Sequence, residues 1–90
     1  MRFVLDGGSV GSRETLHQAL AAGLRLPEWY GGNLDALHDC LTDITEPAEL
    51  VIRRAAALEA ALGGYAAALR RVLADCAAEN EAFSVVWEDE

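Results

Sequence analysis

The spacing of apolar residues changes several times along the chain, and each change marks an element. Arg2 to Leu5 (RFVL) is a short β-type run that ends at Asp6-Gly7-Gly8, a strong turn signal. Ser12 then starts a helix: its hydroxyl can cap, and Leu16, Ala19, Leu20 and Leu24 follow at helical spacing. Gly23 weakens that helix near its end, and Pro27 forbids its continuation. Leu26 to Gly32 (LPEWYGG) is an ordered loop with a proline, two aromatics and a glycine pair able to take positive φ. Asn33 is a good N-cap for a second helix whose core face is Leu34, Leu37 and Leu41, and Pro47 closes that region.

In the second half, Leu50 to Ile52 is a continuous apolar run of the kind that forms a strand buried on both faces. Ala55 to Leu62 is a short helix ended by Gly63-Gly64. A longer helix runs from about Tyr65 to Glu79, with Tyr65, Leu69, Val72, Leu73 and Cys76 on one face and Asn80 as a left-handed C-terminal cap. Phe83 to Trp87 (FSVVW) is the last strand, with Phe83 and Trp87 in the core. Strands separated by helices pair in parallel through right-handed crossovers. The expected architecture is α/β: one domain over residues 1–90, with a three-stranded parallel sheet packed against three or four helices and covered mainly on one side.

Composition narrows the class. Ninety residues, 52% of them hydrophobic, suffice for a modest core and exclude a disordered acidic tail. Fifteen acidic against seven basic residues, all arginine, give a formal charge of −8. Such a field repels nucleic acid and anionic membranes and attracts basic partners. Cys40 and Cys76 form neither a disulfide framework nor the paired spacing of a zinc site, and read as small buried hydrophobes. His17 and His38 show no metal-ligand spacing, so neither a metal nor another cofactor is expected, and His17 reads as a helix-packing histidine. Without a signal-like leader, and with Glu59 and Gly63-Gly64 breaking the only alanine-rich stretch, the chain is expected in the cytoplasm with reduced thiols.

The second helix carries Asp35, Asp39 and Asp43 at successive i, i+4 positions. Like charges at that spacing cost about 0.2–0.5 kcal/mol per pair, and aspartate is a poor mid-helix residue. Stability alone would not choose such a row. Spacing by itself favours a solvated face of an acidic protein. Two features point elsewhere: Trp29, Tyr30 and the glycine pair directly precede the row, and Asp75 and Glu79 repeat its spacing on the long helix. Aromatics beside a charged patch are common interface anchors. General acid–base catalysis fits poorly, because the carboxylates line one helix instead of facing each other across a cleft, with no nucleophile and base to hand. The chain is therefore read as a non-enzyme.

The segment Leu26 to Leu41, LPEWYGGNLDALHDCL, closely resembles the signature of the barstar family, intracellular inhibitors of bacterial ribonucleases of the barnase type, and Leu16-His17-Gln18 fits the same family. The resemblance covers the chain in length and element order and is specific over positions 16 to 42. It implies an inhibitor that fills the cationic active site of a secreted, guanyl-specific microbial ribonuclease, in a 1:1 complex, with carboxylates that stand in for RNA phosphate. By the same resemblance, Asp39 takes the place of the phosphate, Asp35 is a second acidic contact, and Trp29 packs on the catalytic histidine with Tyr30 turned inward. Gly31, Asn33 and Thr42 match further contacts, and Asp75 and Glu79 correspond by helix phase to acids of the last helix. The chain departs from the family where His38 replaces a tryptophan and Asp43-Ile44 replace a glycine-tryptophan pair, which leaves the expected interface less aromatic and more charged. A non-inhibitory acidic adaptor for another basic protein is the alternative, since a fold does not fix its function.

Overall fold

The structure is a computed structural model that describes residues 1–89, so Glu90, the last residue of the expected domain, lies outside them. The elements in chain order are β1 (Arg2–Asp6), a 3-10 turn (Gly7–Ser9), α1 (Arg13–Gly23), α2 (Leu34–Asp43), β2 (Ala48–Arg53), α3 (Ala55–Leu62), α4 (Gly64–Glu79) and β3 (Phe83–Trp87). The sheet order is β1-β2-β3, with both pairings parallel. Its register aligns Phe3, Leu50 and Val85 in one row and Leu5, Ile52 and Trp87 in another.

Those rows face the helices. Leu5, Leu50, Ile52 and Phe83 join Leu16, Leu20, Leu37, Leu41, Leu58, Leu69 and Leu73 in one buried cluster. Each fully buried leucine contributes about 1.5–3 kcal/mol relative to exposure, which is what holds α2 and α4 against the sheet. On the opposite face Val4 and Val86 are exposed, while Val51 between them is 2% exposed. The central strand is thus buried on both faces as its apolar run predicts, although its edge-strand neighbours on this second face stay exposed. Among the described residues no helix is long and apolar enough to cross a membrane.

Several local expectations change. Asn80 is not left-handed but extended, at φ −135° and ψ 111°. Its side-chain amide donates to Leu41 O and Ile44 O, both at 2.9 Å, so it links the ends of α4 and α2 while the backbone turns into β3. Of the loop glycines only Gly32 takes positive φ, at 70°. Gly63, at φ 59°, separates α3 from α4, which begins at Gly64, one residue before the expected start. Leu34, Tyr65 and Val72 are only half-buried, and Trp87 is half-buried with the Arg70 guanidinium 4.1 Å above its ring. Gly23 has a packing reason: a methyl group there would strike the Phe3 ring. Arg54 opens α3 in the left-handed region at φ 53°, and its guanidinium holds both carboxylate oxygens of Asp6, at 2.7 and 2.5 Å. That fork draws the Asp6 pKa down to about 2.

Candidate protein-binding surface

The loop before α2 is fixed from both sides. Leu26 N–H donates to Ala21 O and Tyr30 N–H to Pro27 O, each at 2.9 Å. The Tyr30 hydroxyl turns inward to Nδ1 of the buried His17, and the Tyr65 hydroxyl meets Nε2 of the same ring at 2.6 Å. Burial holds His17 below the ordinary histidine pKa and pushes the Tyr30 phenol far above its usual value. Trp29, next to the tethered Tyr30, is left 66% exposed. Gly31 and Gly32, also exposed, complete the turn into α2.

Asn33 Oδ1 accepts from Ala36 N–H at 2.8 Å and sets the first turn of α2. Leu37, Cys40 and Leu41 then bury one face of the helix, and helical periodicity leaves Asp35, Asp39 and Asp43 on the exposed one. Thr42 is half-buried, with its hydroxyl returned to the helix at His38 O, 2.8 Å away. On α4, burial of Leu69, Leu73 and Cys76 turns Asp75 and Glu79 to solvent. Burial also raises both thiol pKa values, Cys76 to about 11, and both cysteines are free.

His38 connects the two helices. Its Nε2 lies 2.8 Å from Glu79 Oε2 and its Nδ1 3.9 Å from Asp39 Oδ1. The hydrogen bond to Glu79, together with the charges of Glu79, Asp39 and Asp75, raises its pKa despite some desolvation. Four of the seven arginines are paired elsewhere: Arg2 to Glu49, Arg53 to Glu88, Arg54 to Asp6 and Arg70 to Glu59. Among the described residues no arginine forms an ion pair with Asp35, Asp39, Asp43, Asp75 or Glu79. The fold therefore brings the α2 row to one side with Glu79 beside it, follows the exposed loop of Trp29 and Gly31 directly with that row, and leaves the patch without an arginine counter-ion. Sequence reasoning missed the His38–Glu79 link and the anchoring of Tyr30 through His17 to Tyr65. For the second, a histidine on an apolar helix face with tyrosines elsewhere in the chain was the available signal.

The sequence profile of the family described as "Barstar (barnase inhibitor)" matches residues 1–88. The chain belongs to the barstar family. A relative named "Putative ribonuclease inhibitor YrdF", from Bacillus subtilis (strain 168), is 34% identical over 89 residues, which cover 97% of this chain and 98% of the relative. The three parallel strands and four helices agree with the barstar-like architecture expected from the sequence. Within that scaffold, His38 bridges α2 to α4 and Asp43 extends the exposed acid row.

Proposed function

We propose that this barstar-family protein is a ribonuclease inhibitor that acts in the cytoplasm on a secreted, guanyl-specific microbial ribonuclease of the barnase type, in a 1:1 complex. The observation that carries the reading is the set of five exposed carboxylates on α2 and α4 that, among the described residues, form no ion pair with an arginine, next to an exposed tryptophan. A ribonuclease active site must concentrate positive charge to bind phosphate, so such a patch is its electrostatic complement. Asp39, mid-row on a helix fixed by its buried face, takes the place of a phosphate among the enzyme's cations. Asp35 and Asp43 extend the charge along α2, and Asp75 and Glu79 extend it from α4. Trp29 supplies a flat apolar anchor over the catalytic groups. Gly31 lets the backbone approach, while Asn33 and Thr42 hold the loop end and the helix turn beside it. The protein contributes no chemistry: it occupies the site and excludes RNA.

The test is a titration of guanyl-specific microbial ribonucleases with the protein, read by RNA cleavage. Activity should fall linearly to zero at one equivalent. A panel of such enzymes left fully active would defeat the inhibitor reading and favour the acidic adaptor.

A further inference from the structure

The acidic surface contains one titratable base. His38 places one ring nitrogen 2.8 Å from Glu79 on α4 and the other 3.9 Å from Asp39, its neighbour on α2. Asp75 faces it from α4 as a further negative charge, and its own helix adds Asp35 and Asp43. Its side chain is 36% exposed, open to protons and to a partner alike. It also sits between the two carboxylates that the proposed complex would ask to hold foreign cations.

We propose that His38 is a proton-operated internal counter-ion: protonated, it offsets the charge of Glu79 and Asp39 and competes with a partner's cations, and neutral, it leaves that charge to the partner. This rests on the reading of the surface as a receptor for cationic protein groups. A neutral imidazole donates from only one nitrogen, so it can satisfy Glu79 or turn toward Asp39 but cannot neutralise either. An imidazolium donates from both nitrogens and carries the charge that arginines of a partner would otherwise supply. Its acidic surroundings raise the pKa, so protonation begins above the ordinary value of about 6.5. A cationic partner disfavours that proton, and binding must expel it. Affinity therefore falls with acidification, by up to about tenfold per pH unit when one proton is released per complex.

Two ligands measured side by side test this: a hexa-arginine peptide and a guanyl-specific ribonuclease, each from about pH 8 to about pH 5.5, the range in which histidine titrates. Binding to the wild type should weaken by about tenfold per unit at the acid end, and the curve for His38→Gln should be markedly flatter with both ligands. Histidines of the enzyme contribute equally to both variants, so the difference in slope belongs to His38. Glu79→Gln provides a second arm: it should lower the His38 titration midpoint, followed by NMR of the imidazole protons, and flatten the slope as well. Equal slopes for wild type and His38→Gln overturn the inference, as does failure of the peptide to bind at any pH. If the peptide shows the His38-dependent slope while ribonucleases stay fully active, the inhibitor reading fails and this inference stands. If ribonucleases are inhibited with slopes indifferent to His38, the inference alone fails.

Discussion

Tyr65, in the first turn of α4, bonds through its hydroxyl to Nε2 of His17 on α1, and the other nitrogen of that ring takes the hydroxyl of Tyr30 from the loop before α2. One buried imidazole thus ties together three parts of the chain that are distant in sequence. A single neutral tautomer serves both: one nitrogen donates, the other accepts.

This arrangement predicts acid sensitivity. Burial depresses the His17 pKa in the folded state below the unfolded value of about 6.5. Its contribution to stability is therefore complete above about pH 6.5 and is lost as pH falls from there through the folded pKa. His38 has the opposite sign: its raised pKa adds stability below about pH 6.5, which is lost as pH rises through the folded value. Thermal melts at stepped pH should show His17→Gln with a flatter acid limb than wild type. An unchanged acid limb would remove His17 from the account.

Asp39→Ala should separate binding from folding. Removing the middle charge relieves i, i+4 repulsion with Asp35 and Asp43, so the melting temperature should hold or rise slightly, by the equivalent of about 0.2–0.5 kcal/mol per pair. Inhibition should weaken by upward of about 2 kcal/mol, as for a central interface residue. A variant that melts early yet inhibits normally per folded molecule would make Asp39 structural.

Trp29 is 66% exposed, so Trp29→Ala should cost little stability. It should weaken ribonuclease binding by about 1–4 kcal/mol, and Trp29→Phe, which keeps a flat ring, much less. With Trp87→Phe leaving Trp29 as the sole tryptophan, its emission should be red-shifted and open to quencher in the free protein and should change on adding enzyme. Emission that the enzyme does not alter would remove Trp29 from the contact surface.

Asn80→Ala leaves Leu41 O and Ile44 O without their side-chain donor. A buried carbonyl orphaned in this way costs about 1–3 kcal/mol, and these part-buried ones should cost less. Hydrogen exchange should rise in the last turn of α2 before the rest of the molecule responds. Uniformly unchanged protection there would mean that packing of Leu41 alone holds the turn.

These positions also show what sequence could reveal. Element order was legible because Pro27, Asn33, Pro47 and Gly63-Gly64 interrupt clear apolar periodicities, and the α2 acid row followed from spacing on one helix. Asn80 was misread because asparagine after a helix usually marks a left-handed cap, whereas here its bonding to carbonyls far away in sequence decides the backbone. Gly23 reads as a weak helix residue until Phe3 is found packed on it. Arg54 gives no local sign of positive φ, which Asp6 helps to hold from the end of β1. The His38–Glu79 link depends on the relative phase of α2 and α4, which spacing within either helix does not contain.

Asn80 has a consequence for the electrostatic field as well. By joining the end of α4 to carbonyls at the end of α2, it gathers two helix C-termini at one place, and neither helix has a basic residue in its last turn. Each such terminus carries the equivalent of about half a negative elementary charge from its aligned peptide groups. The backbone therefore contributes to the negative potential that the aspartates advertise. Converting all five carboxylates to amides should leave this end of the molecule still negative, and any attempt to redesign it for an acidic partner must overcome the helices as well as their side chains.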